Sequence, residues 1–218
     1  MIIQPERHPG GERDRDTEQR ILDAARRVFV RRGTAGARMQ EIATEAGVNQ
    51  ALLHYYFRSK DRLAAMVFRE AAARLLPAIA EILGSDAPLP HKVEQFVHLY
   101  IDGVRQNPFI PGYLVSELHQ QPERLTALID AAGPGARLAA DAVRQRLAAQ
   151  LRDAAAAGSI APISAEQFFV NMVALCVMPF LARPLLDALL GMDAESFDRF
   201  LDERRVELPG FILRGLGL

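Results

Sequence analysis

Apolar residues recur along this chain at intervals of three and four rather than two. Ile21, Ala25, Val28 and Phe29 fall on one stripe, and so do Leu63, Val67, Ala71, Leu75, Ala78 and Ile82. The spacing returns in Val93, Phe96, Val97, Tyr100, Ile101 and Val104, and again in Phe169, Met172, Val173, Cys176 and Phe180. A period near 3.6 puts each set on one face of an α-helix, whereas a half-buried strand alternates at every second position. No sustained alternation, Asn-Gly hairpin turn or strand–helix–strand rhythm occurs. The pattern predicts an all-α chain.

Caps and breakers set the expected limits of the helices. Asp16 or Thr17 caps a first helix that ends at Gly33. A short helix over 39–46 stops at Gly47, and Asn49 caps another that runs to Phe57. Ser59, with Asp61 in the first turn, starts a long helix that Pro77 kinks. A loop over 84–90 leads into a helix with Pro90 at its first position, and 107–112 is a second break. Pro122 starts a short helix that ends at Gly-Pro-Gly (133–135), and a long one follows to about Ala157. Ser164 and Gln167 form a capping box, Pro179, Pro184 and Gly191 interrupt the next helix, and Asp193 caps the last, to about Arg214. These signals predict nine or ten helices.

The segment 39–57, MQEIATEAGVNQALLHYYF, concentrates the chemistry. Two short helices meet at Gly47, which supplies the positive φ that a helix-turn-helix needs. Ala43 is small where the helices cross, and Ile42, Ala46, Val48, Leu53 and Tyr56 have the offsets that lock them together. In the second helix Leu53, Tyr56 and Phe57 share one side, while Gln50, Ala51, His54 and Tyr55 share the other. The first set belongs to the core. The second suits a major groove: Gln50 can pair with adenine, Ala51 can touch a thymine methyl, and His54 can donate to guanine or phosphate. The hydroxyls of Tyr55 and Tyr56 can reach phosphates, and Lys60 adds a cation at the next helix start. The competing reading, a hydrophobic cap between helices, accounts for Phe57 and part of Tyr56 but not for His54 and Tyr55.

GVNQALLHYYFRSKDRL, with ILDAARRVFVRRG and MQEIATEAG upstream, resembles the tetracycline-repressor (TetR) family of transcriptional regulators over about residues 17–66. The family pattern is a turn glycine, a short recognition helix with an aromatic cluster ending in Phe, and a Ser-Lys-acid-Leu start to the next helix. Beyond residue 66 the chain matches in length and helical pattern. The resemblance implies a homodimer on a palindromic double-stranded DNA operator, usually a repressor released by a small-molecule effector. It places Gln50, Ala51 and His54 where relatives touch bases, and Arg38, Gln40, Tyr55, Tyr56 and Lys60 where they touch phosphates. Two positions depart from the pattern: Ala37-Arg38 replaces a frequent Thr-Thr, and His54 replaces the usual tyrosine. The expected organisation is a disordered arm (1–15), a three-helix helix-turn-helix head (16–62), and an all-helical ligand-sensing and dimerisation domain (63–218). Within it, the helix at 134–157 and the one starting at Ala165 are the expected interface.

Charge supports this division modestly. Residues 1–66 carry twelve Lys/Arg against nine Asp/Glu, or +3, and the whole chain is −1, leaving −4 for the remainder. Cys176 is the single cysteine and lies on an apolar face, which suits a buried residue in a reducing, cytoplasmic location. The N-terminal stretch has no apolar core of a signal peptide. The longest apolar run, 168–182, is shorter than a membrane span and is broken by Asn171 and Pro179. His91, Glu94 and His98 share a helix face, but without an HExxH or cysteine cluster they read as a solvated or pocket-lining face, as does His119. No nucleophile elbow, phosphate loop or dinucleotide glycine run occurs, so neither catalysis nor a cofactor is expected. An all-α enzyme or protein adaptor without DNA binding is the alternative, and it leaves the basic, aromatic face unexplained.

Overall fold

The computed structural model describes residues 10–120 and 134–218. Among them the backbone forms ten helices and no strand. These are α1 (Gly10–Gly36), α2 (Met39–Ala46), α3 (Gln50–Phe57), α4 (Lys60–Gly84), α5 (Leu89–Gln106), α6 (Ile110–Gln120), α7 (Pro134–Ala156), α8 (Ala165–Leu181), α9 (Arg183–Leu190) and α10 (Ala194–Leu216). The short helix expected after Pro122 lies outside the described residues. So do residues 1–9 of the expected arm, whereas residues 10–15 are helical and extend α1 ahead of Asp16. The backbone of α1 breaks at Gly33 (φ 66°, ψ 169°), where its end was expected. Pro90 occupies the second helical position of α5 rather than the first, and α4 continues through Pro77.

The chain forms two compact units, Met1–Ala71 and Ala72–Leu218, and the boundary falls inside α4. In the first, Ile21, Leu22, Ala24, Ala25, Val28 and Phe29 of α1 are buried, with Ile42, Ala43, Ala46, Leu53, Phe57, Leu63 and Val67 from the other helices. Ion pairs ring this core. Arg26 reaches Glu70 at 2.6 Å, and Arg27 and Arg31 both grip Glu45 at 2.7 Å. The Arg27 bond, then the Arg31 bond, hold the Glu45 carboxyl below its ordinary pKa.

In the second unit the buried face of α5 (Val93, Phe96, Val97, Ile101) meets α8, and α5 also packs along α10. Leu147 and Leu151 of α7 and Leu208, Ile212 and Leu216 of α10 complete the core. Along α8 the buried positions are Phe168, Met172, Cys176 and Pro179, while Phe169 is 39% exposed. The face is therefore set one residue earlier at its start than the apolar spacing suggested. That helix is apolar on several sides, so periodicity does not single out the inward one. Lys92 is fully buried; its ammonium donates to the Leu83 carbonyl at 2.9 Å and to Gln150 Oε1 at 2.7 Å. The lysine thus closes the carbonyl end of α4, where a cation is favourable, while burial lowers its pKa.

Proline leaves a carbonyl without its helical donor four residues upstream. Pro179 does this to Leu175, and the Arg204 guanidinium of α10 fills the gap with bonds of 2.6 and 3.1 Å to that carbonyl. Arg205–Asp102 and the pairs of Arg105 with Asp198 and Asp202 tie α5 to α10. Past Pro179, α8 and α9 meet at 65°. Among the described residues no single helix is long and apolar enough to cross a membrane; only this bent pair has the length and composition together.

Arg204→Ala is expected to destabilise the protein by about 1.5–3 kcal/mol, because a charged donor leaves a shielded carbonyl. In a Pro179→Ala background the helix can supply its own N–H, so the same substitution should cost less, with a coupling above about 0.5 kcal/mol. Denaturant unfolding of the four proteins measures this; additive effects would show that the arginine does not serve the proline's orphan.

Candidate nucleic-acid interface

α2 and α3 have eight residues each, too few to be stable alone, so local caps hold them. Gly47 adopts φ 65°, ψ 35°, and its N–H and that of Val48 close onto the carbonyls of Thr44 and Ala43 at 3.1 and 3.0 Å. Arg20 of α1 donates to the Ala46 carbonyl at 2.8 Å, a contribution the sequence did not announce. Asn49 Oδ1 accepts from the Leu52 N–H at 2.7 Å and starts α3. At the far end Ser59 Oγ accepts from the Arg62 N–H at 3.2 Å and opens α4. The turn, the second helix and the next helix start all lie where the residue types point.

The two sides of α3 differ sharply. Leu53 and Phe57 are buried, and Tyr56 is half-buried. Gln50, Ala51, His54 and Tyr55 are exposed, Tyr55 by 76%, and Leu52 lies partly open beside them. Arg38 and Gln40, at the start of α2, are also exposed. Arg38 precedes α2 in extended conformation without a side-chain cap, as expected where a hydroxyl residue is missing. Of the motif's other structural positions, Ile42, Ala43 and Ala46 are buried and Val48 is half-buried.

Two side chains expected at phosphates are already engaged. The Tyr56 hydroxyl donates to Asp14 Oδ1 at 2.7 Å, a bond that raises the phenol's pKa. Donating to a phosphate therefore requires release of Asp14. The Lys60 ammonium donates to the carbonyls of Ala35, in the last turn of α1, and Ala37, just past its end, at 3.0 and 3.2 Å. An ammonium has three donors, so one remains. Arg58, which was assigned no role, sits at φ 53° between α3 and α4, the only non-glycine with positive φ among the described residues. Its carbonyl lies 3.3 Å from His54 Nδ1.

Elsewhere the described residues contain no cluster of His, Cys, Asp and Glu that could hold a metal. His91 and His119 are exposed and His98 is half-buried; His119 Nδ1 lies 2.7 Å from the Val115 carbonyl of its own helix. Cys176 is fully buried, and burial raises its thiol to about 12, so it is unreactive.

An exposed polar face on a short helix, set at a glycine turn within an all-helical unit, defines a helix-turn-helix protein. Residues 21–67 match the family described as bacterial regulatory proteins, tetR family. The chain is 31% identical over 125 residues to the HTH-type transcriptional repressor Rv3405c of Mycobacterium tuberculosis, spanning 55% of this chain and 63% of that protein. It is 31% identical over 105 residues to the HTH-type transcriptional repressor NicS of Pseudomonas putida, spanning 48% and 50% respectively. These matches thus span between half and two thirds of the curated relatives' length. The fold is similar to that of the TetR family transcriptional regulator PfmR of Thermus thermophilus, with a TM-score of 0.58 over 89% of this chain and 97% of that one, at 18% identity. The family match covers residues 21–67, and over most of its length the chain shares the all-helical fold of such a regulator.

Lys60→Met is expected to lower the stability of the DNA-free protein by about 0.5–1.5 kcal/mol, since the carbonyls of Ala35 and Ala37 lose their donor. The urea midpoint of the pure protein reads this; an unchanged midpoint would assign the lysine to solvent.

Proposed function

We propose that this protein is a cytoplasmic, homodimeric regulator that binds a palindromic DNA operator and represses transcription until a small-molecule effector releases it. The single observation that carries the DNA-binding reading is the division of α3, with Gln50, Ala51, His54 and Tyr55 exposed on one side and Leu53 and Phe57 buried on the other. A packed core needs only the second set. The first has the donors, acceptors and methyl group that read base edges in a major groove. Arg38, Gln40, Tyr55 and the remaining donor of Lys60 flank it as phosphate contacts, and Tyr56 joins them once it leaves Asp14. The relatives Rv3405c and NicS are transcriptional repressors, which supports that direction of control. An effector acts, in this reading, by favouring one of two conformations that differ in operator affinity.

One helix-turn-helix head covers too few base pairs for a specific site, which is why a dimer with half-sites about 34–36 Å apart is part of the reading. The surface that best suits pairing differs from part of the sequence expectation. The exposed described residues of α7 include Asp141, Arg144, Gln145, Arg146, Arg152 and Asp153, a polar face. By contrast α8 and α10 expose Phe169, Val170, Val206 and Phe211. Between them lies a cleft of about 360 Å³ walled by Phe168, Leu175, Phe211 and Ile212. Open apolar surface of this kind favours burial against a second copy, as in isologous dimers. The pair α8 and α10 is therefore the proposed interface, with α7 outside it.

In a randomised-duplex selection the protein should enrich an inverted repeat, and Gln50→Ala should relax one base pair per half-site by about 1–3 kcal/mol. Selection of no sequence, or an unchanged preference in the variant, would sink the assignment of α3. Phe211→Asp should convert a dimer to a folded monomer in sedimentation and weaken operator binding; a dimer unaffected by the change would move the interface elsewhere.

A further inference from the structure

We propose that His54 recognises the exocyclic amine of an adenine or cytosine, through an imidazole nitrogen that the fold keeps as a hydrogen-bond acceptor. This rests on the reading of α3 as the recognition helix, and it reverses the donor role that the sequence suggested for this histidine. Its Nδ1 lies 3.3 Å from the Arg58 carbonyl oxygen. A carbonyl oxygen only accepts, so Nδ1 must carry the hydrogen. In the neutral ring Nε2 then holds a lone pair and no hydrogen. The side chain is exposed, one helical turn from Gln50 and on the same side of α3.

The unusual backbone after α3 explains why that carbonyl is free to set the tautomer. Arg58, at φ 53° and ψ −40°, is the centre of a γ-turn in which the Ser59 N–H donates to the Phe57 carbonyl. This is the rare, strained form of that turn, and an arginine there gains nothing from glycine-like freedom. In a continuing helix the Arg58 carbonyl would accept from the N–H of Arg62. That N–H instead goes to Ser59 Oγ. The freed carbonyl turns to His54 Nδ1, while the Arg58 N–H donates to the His54 carbonyl at 2.9 Å. Ring and turn thus hold each other, and the strained turn orients the ring.

Base edges divide cleanly against such a group. Adenine N6 and cytosine N4 offer hydrogens in the major groove, whereas guanine O6 and N7 and thymine O4 offer only lone pairs. An Nε2 acceptor bonds the first pair and repels the second.

The chain, taken through randomised-duplex selection at about pH 8, should enrich adenine or cytosine at one position. His54→Ala should lose that preference, and His54→Lys, which has only donors, should move it to guanine. Replacing the enriched base with purine or pyrimidin-2-one, which lack the amine, should weaken wild-type binding roughly two- to tenfold and leave His54→Ala unchanged. Two-bond proton–nitrogen correlation spectra of the free protein should show hydrogen on Nδ1. Hydrogen on Nε2 of the free protein, a guanine or thymine preference that depends on His54, or full binding to the amine-free duplex would each overturn the proposal. A protein that retains no duplex at all would overturn the DNA-binding reading instead, and the spectra separate the two failures because they need no DNA.

Discussion

Two helices of eight residues cannot stand unless the groups at their ends are satisfied, and the head of this protein is organised around that requirement. Gly47 is the pivot. Its left-handed conformation returns two N–H groups to the end of α2, frees Asn49 to cap α3, and aims α3 away from α2 at once. A side chain at this position would be strained by positive φ. Because α3 is so short, it can bury only Leu53 and Phe57 fully and must leave the rest of its circumference outside. The exposed face that carries the proposed function is a consequence of that economy of length.

Loose carbonyls tie the architecture together in both units. Pro179 orphans Leu175, and Arg204 answers from α10; the end of α4 presents Leu83, and buried Lys92 answers from α5. In the head Arg20 answers Ala46 and Lys60 answers Ala35 and Ala37. Each bond is a modest net gain, but each spares a poorly solvated carbonyl that would otherwise cost more. Cations seen in the sequence as surface charge therefore have a second employment inside the fold. For Lys60 that employment overlaps the one proposed at a phosphate.

Within the head, the turn and the starts of α3 and α4 were legible in the sequence to within a residue or two. Gly47, Asn49 and Ser59 are local signals, and each acts on neighbours within four residues. Helical periodicity separated Leu53 and Phe57 from Gln50, Ala51, His54 and Tyr55 for the same reason. The second unit was legible as helices but less so as faces. On α8 apolar residues occupy several sides, so their spacing could not say that Phe168 turns inward and Phe169 outward. On α1 the polar, acidic start gave no sign that the helix would reach back to Gly10 and place Asp14 at the Tyr56 hydroxyl.

What the sequence by itself determined, then, is where helices begin and end and which residues of α3 a core would claim, because caps, turns and periodicity are interactions of short range along the chain. The tertiary structure alone decided the partners of Tyr56, Lys60, Lys92 and Arg204, which are reached by helices crossing at angles that no spacing records. His54 stands between the two. Its place on the outer face follows from counting residues, but the hydrogen on its Nδ1 follows from a γ-turn at Arg58, whose carbonyl is free only because Ser59 took the bond that would have used it.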